Sequence, residues 1–142
     1  MAVKPIPDGY HTVTPYLTVP DLAAMLQFLP AAFGAKVTET HSDPEGKPRH
    51  AEVEIGDSKV MLGQMNETWG QRVGTLYLYV PDTDATYKSA LAAGAKSIME
   101  PSDQFYGDRN AGVEDPQGNQ WWIATHVEDV SPEEMERRMN AR

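Results

Sequence analysis

Four histidines, no cysteine and a scatter of carboxylates are the groups in this chain that could hold a metal or move a proton. His50 and Glu52 stand two residues apart, a spacing that on a strand puts both side chains on one face. Joined by a third donor such as Glu114, they would make a site for a divalent ion. No other spacing supports one: His11, His41, His50 and His126 form no His-x-His, His-x3-His or His-Glu-x2-His pattern. The lack of cysteine excludes disulfides, thiolate metal sites and a cysteine nucleophile. There is no Gly-x-Ser-x-Gly elbow and no glycine-rich phosphate loop. What the chain offers instead is aromatic. Tyr16, Tyr77, Tyr79 and Trp122 fall in strand-like runs, where rings and hydroxyls together suit a small organic molecule.

The elements that position these residues come in two copies. Tyr16-Leu17-Thr18-Val19-Pro20-Asp21 recurs as Tyr77-Leu78-Tyr79-Val80-Pro81-Asp82, 61 residues later. Gly34-Ala35-Lys36 recurs as Gly94-Ala95-Lys96, and Arg49-x-Ala51-x-Val53-Glu54 as Arg109-x-Ala111-x-Val113-Glu114, each 60 residues on. Three matches in one order at nearly one spacing mark a duplication. Each copy opens on a β-branched and aromatic strand (12–19 and 75–80) ended by Pro-Asp. Asp21 and Asp82 are candidate helix N-caps, with Thr83 competing in the second copy. Leu22, Met25, Leu26, Leu29 and Phe33 form an apolar helical stripe, which Pro30 should kink or break. Gly34 and Gly94 are placed for left-handed C-caps.

Three strands follow in each copy: 36–40, 50–55 and 59–63, then 96–99, 110–114 and 120–125. Each copy is thus a βαβββ module, spanning 10–64 and 74–126. A connector at 65–73 carries Trp69, and a helix begins at Ser131-Pro132-Glu133-Glu134, a capping box with proline at the first helical position. The fold class expected is α+β, one domain over 1–142, with 131–142 as a terminal helix.

Alternation then sorts the faces. Leu17, Val19, Val60, Leu62, Leu76, Leu78, Val80, Trp121 and Ile123 should pack on the helices, with Ala51, Val53 and Ile55. The opposite face receives Thr14, Tyr16, Thr18, His50, Glu52, Glu54, Lys59, Met61 and Gly63. In the second copy it receives Thr75, Tyr77, Tyr79, Asn110, Gly112, Glu114, Gln120, Trp122 and Ala124. Arg109 beside Asp108 reads as a structural ion pair or a loop anchor.

The tandem pattern resembles the vicinal oxygen chelate superfamily, which contains glyoxalase I, bleomycin-resistance proteins and extradiol dioxygenases. Residues 9–17, Phe105-Tyr106-Gly107-Asp108-Arg109, the run from Asp115 to His126 and the helix start at 130–135 are similar to its PhnB-like branch. The resemblance implies curved sheets around a cavity with helices outside, and a homodimer. Metal-dependent members place one ligand on the first strand and one Glu on the last strand of each module. Carried onto this chain, those slots fall on Thr14, Thr75, Met61 and Trp122: neutral hydroxyls, a soft thioether and an indole that is no ligand. The expectation is therefore no metal, no cofactor and no catalytic residue. A small planar compound would be held by Thr14, Tyr16, His50, Glu52, Met61, Thr75, Tyr77, Glu114 and Trp122. The alternatives are a metal-dependent lyase, isomerase or dioxygenase with relocated ligands (His50, Glu52, Glu114), and a non-catalytic interaction module.

Bulk properties bound the rest. The 142 residues suffice for one core, and a net charge of −9 argues against nucleic-acid binding. No apolar run is long enough to cross a bilayer and residues 1–10 lack a signal-peptide stretch, so the expectation is a cytoplasmic protein with no membrane partner.

Overall fold

Both repeats fold to one topology, and the chain divides into two units between Gly74 and Thr75. The computed structural model describes residues 3–142. The first unit contains β1 (Tyr16–Val19), α1 (Leu22–Phe33), β2 (Lys36–Ser42), β3 (Pro48–Ile55) and β4 (Ser58–Gln64). The second contains β5 (Thr75–Tyr79), α2 (Thr83–Ala92), β6 (Lys96–Asp103), β7 (Asp108–Glu114), β8 (Gln120–His126) and α3 (Pro132–Asn140). The sheets run β1-β4-β3-β2 and β5-β8-β7-β6. In each the first strand is parallel to the last and the remaining pairs are antiparallel. The fold is α+β, two βαβββ modules in tandem.

The strand-to-helix corner is built alike in both modules. Asp21 caps α1 by accepting from the Ala24 N–H at 3.0 Å, and Asp82 caps α2 by accepting from that of Ala85 at 3.1 Å. A side chain at the end of the last strand then pins the corner. Gln64 Oε1 accepts from the Leu22 N–H while its amide donates to the carbonyl of Pro20. In the second module Thr125 Oγ1 accepts from the Thr83 N–H and donates to the Val80 carbonyl. Thr83 lies inside the helix and its hydroxyl donates to the Arg109 carbonyl, so it does not compete for the cap.

Packing differs between the modules. On α1, Leu22, Met25, Phe28, Leu29 and Ala32 are buried and meet a sheet face of Leu17, Val19, Ala51, Val53, Val60 and Leu62. On α2 only Thr83 and Ala90 are buried, so the bulk comes from the sheet, chiefly Trp121. Its indole N–H donates to Asp115 Oδ2 at 2.7 Å. The same carboxylate takes the backbone N–H groups of Gln117 and Asn119 in the β7–β8 turn.

Four local expectations are corrected. β1 begins at Tyr16 and not at residue 12, because Pro15 has no N–H to extend the ladder; its carbonyl accepts from Met61. α1 continues through Pro30 to Phe33, its last turn closed by the Gly34 N–H on the Pro30 carbonyl. Gly34 is left-handed (φ 67°), but α2 is capped by right-handed Ala93, with Gly94 (φ 112°) one residue later. β6 extends to Asp103 into the segment read as loop, with a register shift between Met99 and Ser102, around Pro101.

Two further placements follow from non-local contacts. Thr18 is buried because the connector pairs with it: the Thr18 and Arg72 backbones exchange both hydrogen bonds, at 3.2 and 3.0 Å. Arg109 anchors α2 by a bidentate pair with Asp84 (2.7 and 2.9 Å) and reaches Asp103, leaving Asp108 for other partners. In α3, Ser131 caps through the Glu134 N–H, and Arg138 holds Glu128 with two 2.9 Å bonds plus the Phe105 carbonyl. Among the described residues no helix is long and apolar enough to cross a membrane.

Candidate functional site

Register brings a small set of polar and aromatic side chains together on the helix-free face of each sheet. In the first module Tyr16 pairs with Met61, and Gly63, two residues along β4, stands opposite His50 on β3. A Cβ on Gly63 would lie 2.8 Å from the Tyr16 hydroxyl oxygen. The ring therefore lies across the glycine, and its hydroxyl reaches His50 Nδ1 at 3.2 Å. The other His50 nitrogen is 3.6 Å from Glu52 Oε2. Glu52 is only 7% exposed, and its Oε1 accepts a hydrogen bond from Tyr10. The Lys59 ammonium stands 5.6 Å over the Tyr10 ring and 3.8 Å from Glu54.

The second module repeats this bond with different residues. Tyr77 spans Ala124 as Tyr16 spans Gly63, and Asn110 takes the place of His50. The Asn110 amide donates to the Tyr77 oxygen at 3.0 Å and to the Tyr106 oxygen at 2.7 Å. Asp108 is the hub. Its Oδ2 accepts from Tyr77 at 2.7 Å and Tyr79 at 3.0 Å, and its Oδ1 lies 2.9 Å from His126 Nδ1. His126 Nε2 is 2.7 Å from Asp129.

Electrostatics follow from that wiring. Burial alone would raise the Asp108 carboxyl, but the bonds from His126, Tyr77 and Tyr79 outweigh it and hold it below the usual carboxylate range. Burial and the Asp108 charge push the Tyr77 phenol well up, against the pull of Asn110, and the hydrogen bond to Asp108 raises Tyr79. Both stay protonated. His126, between Asp108 and Asp129, is raised toward the imidazolium.

Beside the hub lies a flat ring. Trp122 stands opposite Gly112, and a Cβ on that glycine would meet its Cζ3, Cη2 and Cε3 at 2.6, 2.8 and 2.9 Å. The indole therefore lies down on the sheet, which only a glycine beneath it permits. Tyr77 and Tyr79, edge-on to each other at 5.3 Å between centroids, are both exposed beside it.

A metal does not fit these residues. Thr14 precedes β1, its hydroxyl 3.5 Å from the His11 carbonyl. Thr75 is the exposed first residue of β5. Met61 and Trp122 sit at the last-strand slots with no oxygen or imidazole donor. The relocated set fares no better, since His50 and Glu52 are engaged with Tyr16 and Tyr10. Glu114 sits at the end of β7, in register with Gln120 and Lys96 and remote along the strand from Asp108. Among the described residues no three His, Asp or Glu side chains are grouped to hold an ion.

Of the residues singled out from sequence, Tyr16, His50 and Glu52 meet in one cluster, with Met61 in the neighbouring row, and Tyr77 and Trp122 meet in another. Thr14, Thr75 and Glu114 stand at the margins of these clusters. Sequence reasoning passed over Tyr10, Tyr106, Asp108 and His126. For Asp108 and His126 a signal existed: extending the alternation two residues back from Asn110 and two on from Ala124 puts both on the face that carries Trp122.

Comparison with known proteins agrees with this architecture. The model of the Glyoxalase/Bleomycin resistance protein/Dioxygenase superfamily matches residues 10–123. Uncharacterised proteins of Mycobacterium bovis and Mycobacterium tuberculosis are each 32% identical over 92% of the chain, covering 93% and 83% of their own lengths. Among solved structures, TioX from Micromonospora sp. ML1 superposes with a TM-score of 0.72 at 24% identity, over 82% of this chain and 99% of that one. A glyoxalase/bleomycin resistance protein/dioxygenase family enzyme from Burkholderia phytofirmans PsJN gives 0.64 at 23%, over 79% and 95%. These structures share the fold.

Proposed function

The chain belongs to the Glyoxalase/Bleomycin resistance protein/Dioxygenase superfamily, and we propose that within it this protein binds a small planar molecule without a metal, in the manner of the bleomycin-resistance and PhnB-like members it resembles. The observation that carries the reading is the Trp122 indole lying flat over Gly112 beside the exposed Tyr77 and Tyr79 rings. A ring held parallel to its sheet presents its face outward, and a π-face is what a planar ligand stacks on. Metal independence rests on donor chemistry, since the four slots hold two threonines, a methionine and a tryptophan. The homodimer implied by the family is part of the proposal.

The experiment combines metal analysis with fluorescence titration. Untagged protein is assayed for bound transition metals and for stabilisation by Zn, Mn, Ni or Fe salts, then titrated with a panel of planar aromatic compounds. Substoichiometric metal, no metal-dependent rise in Tm, and saturable quenching that Trp122→Leu abolishes are expected. Stoichiometric metal with a matching rise in Tm would overturn the reading, as would a panel that leaves the Trp122 signal unmoved.

A further inference from the structure

We infer that Asn110 sets the specificity of this site, its amide oxygen accepting a hydrogen bond from an N–H or O–H at the edge of the bound molecule. The inference rests on the planar-ligand reading and adds to it the class of ligand, one that carries a donor. Asn110 is 2% exposed and lies two residues from Gly112 on β7, so it stands beside the spot where the Trp122 ring is laid down. Its amide nitrogen serves two phenol oxygens, while its Oδ1 is the one buried side-chain polar atom without a partner among the described residues.

An amide can in general be turned over, which would exchange its donor and acceptor ends. Here the orientation is fixed from Asp108. That carboxylate is held ionised and can only accept, so the Tyr77 O–H must point at it, 2.7 Å away. The Tyr77 oxygen is then left as an acceptor toward Asn110, and the group facing it has to be the NH2. The oxygen end is consequently the unpaired one. A buried acceptor without a partner is costly, and a ligand that supplies the donor removes that cost while one that blocks it does not. Tyr106, on the turn between β6 and β7, is the amide's second partner. It accepts from the same NH2 group, so it leaves the Oδ1 end unoccupied.

The test uses pairs that differ only in the donor: 2-naphthol against 2-methoxynaphthalene, and carbazole against N-methylcarbazole, by equilibrium dialysis with the full chain. The O–H or N–H member should bind about tenfold more tightly or better, the usual worth of one buried hydrogen bond. Asn110→Leu should bring the ratio to about one by removing the acceptor. Tyr77→Phe, which keeps Asn110 but frees its amide to turn, should lower the ratio without abolishing binding, and it carries the test should the leucine variant fail to fold. Equal binding of both members by the unaltered protein would overturn the role of Asn110 while leaving planar binding intact. A preference that survives Asn110→Leu would do the same. Binding of neither member would remove both readings.

Discussion

Gly112→Ala is the sharpest probe of the flat ring. A methyl at this position would stand 2.6, 2.8 and 2.9 Å from three carbons of Trp122, where non-bonded carbons rest at about 3.5–4.0 Å. The ring has to move by roughly 1 Å or swing off the sheet. Overpacking of this kind costs about 1–3 kcal/mol, and replacing a strand glycine returns about 0.5–1 kcal/mol through the unfolded chain. The expected net loss is about 1 kcal/mol, with a fall in Tm of about 3 °C. Affinity for a stacked ligand should fall about 3- to 10-fold, the worth of one aromatic pair. Urea unfolding followed by circular dichroism gives the stability, and a red shift of Trp emission reports the displaced ring. The decisive comparison is a double-mutant cycle. In a Trp122→Ala background the obstruction is gone, so Gly112→Ala should become neutral or slightly stabilising. An equal loss in both backgrounds would show that the glycine is required for another reason, and the flat-ring argument would fall.

Four further outcomes follow from contacts elsewhere in the fold. Asp115→Ala removes a carboxylate that accepts from the buried Trp121 N–H, the Asn119 amide and two backbone N–H groups of its turn, and should cost about 3 kcal/mol in chemical denaturation, whereas a solvent-facing carboxylate such as Asp57 should cost almost nothing. Gln64→Ala unpins the corner between β1 and α1 and should cost about 1–2 kcal/mol, and Gln64→Glu should not recover it, because a carboxylate oxygen would then face the Pro20 and Met65 carbonyls that the amide serves. His126 is raised in the fold above its ordinary 6.5, so its stabilisation is complete below that value and is lost as pH climbs through the folded one. Thermal melts should therefore decline as pH rises above 6.5 in the native chain and flatten in His126→Gln. Asp108 works in the opposite sense: its contribution is present above the ordinary 3.8 and fades as pH drops through its lower folded value.

Much of the fold could be read from the chain because its signals are local. The Asp caps, the Ser131 cap and the alternation that buries Leu17, Val19, Trp121 and Ile123 each lie within a few neighbouring residues, and the duplication repeats such short signals 60 to 61 positions on. The clusters were harder because they depend on register. Tyr16 and His50 are 34 positions apart, Tyr77 and Asp108 are 31, and which pairs meet is fixed by how β4 and β8 slide against their neighbours. A face can be assigned from parity alone, but a partner on that face cannot. Tyr10 was invisible for a related reason: it precedes every strand, and what ties it to the sheet is its hydrogen bond to Glu52 and the Lys59 ammonium over its ring, both distant in the chain.

The two modules show what the duplication kept and what it let go. Both retain a tyrosine on the first strand whose hydroxyl crosses a small residue of the last strand to a polar partner on the third. Tyr16, Gly63 and His50 do this in one module, and Tyr77, Ala124 and Asn110 in the other. That bond survives because each end satisfies the other over a residue too small to intervene. One row along, the modules have parted. Met61 opposite Glu52 corresponds to Trp122 opposite Gly112. A glutamate on the third strand fills the space above its sheet and needs a phenol from residue 10 to complete it; a glycine clears that space for an indole to lie down. The large side chain has crossed from the third strand to the last, and the charge has been replaced by a π-surface. The metal-dependent members that the chain resembles carry a glutamate at the last-strand slot of each module, where Met61 and Trp122 offer no oxygen donor. On the function proposed above, a ligand of the second module is held through the face of the Trp122 ring and the edge of the Asn110 amide.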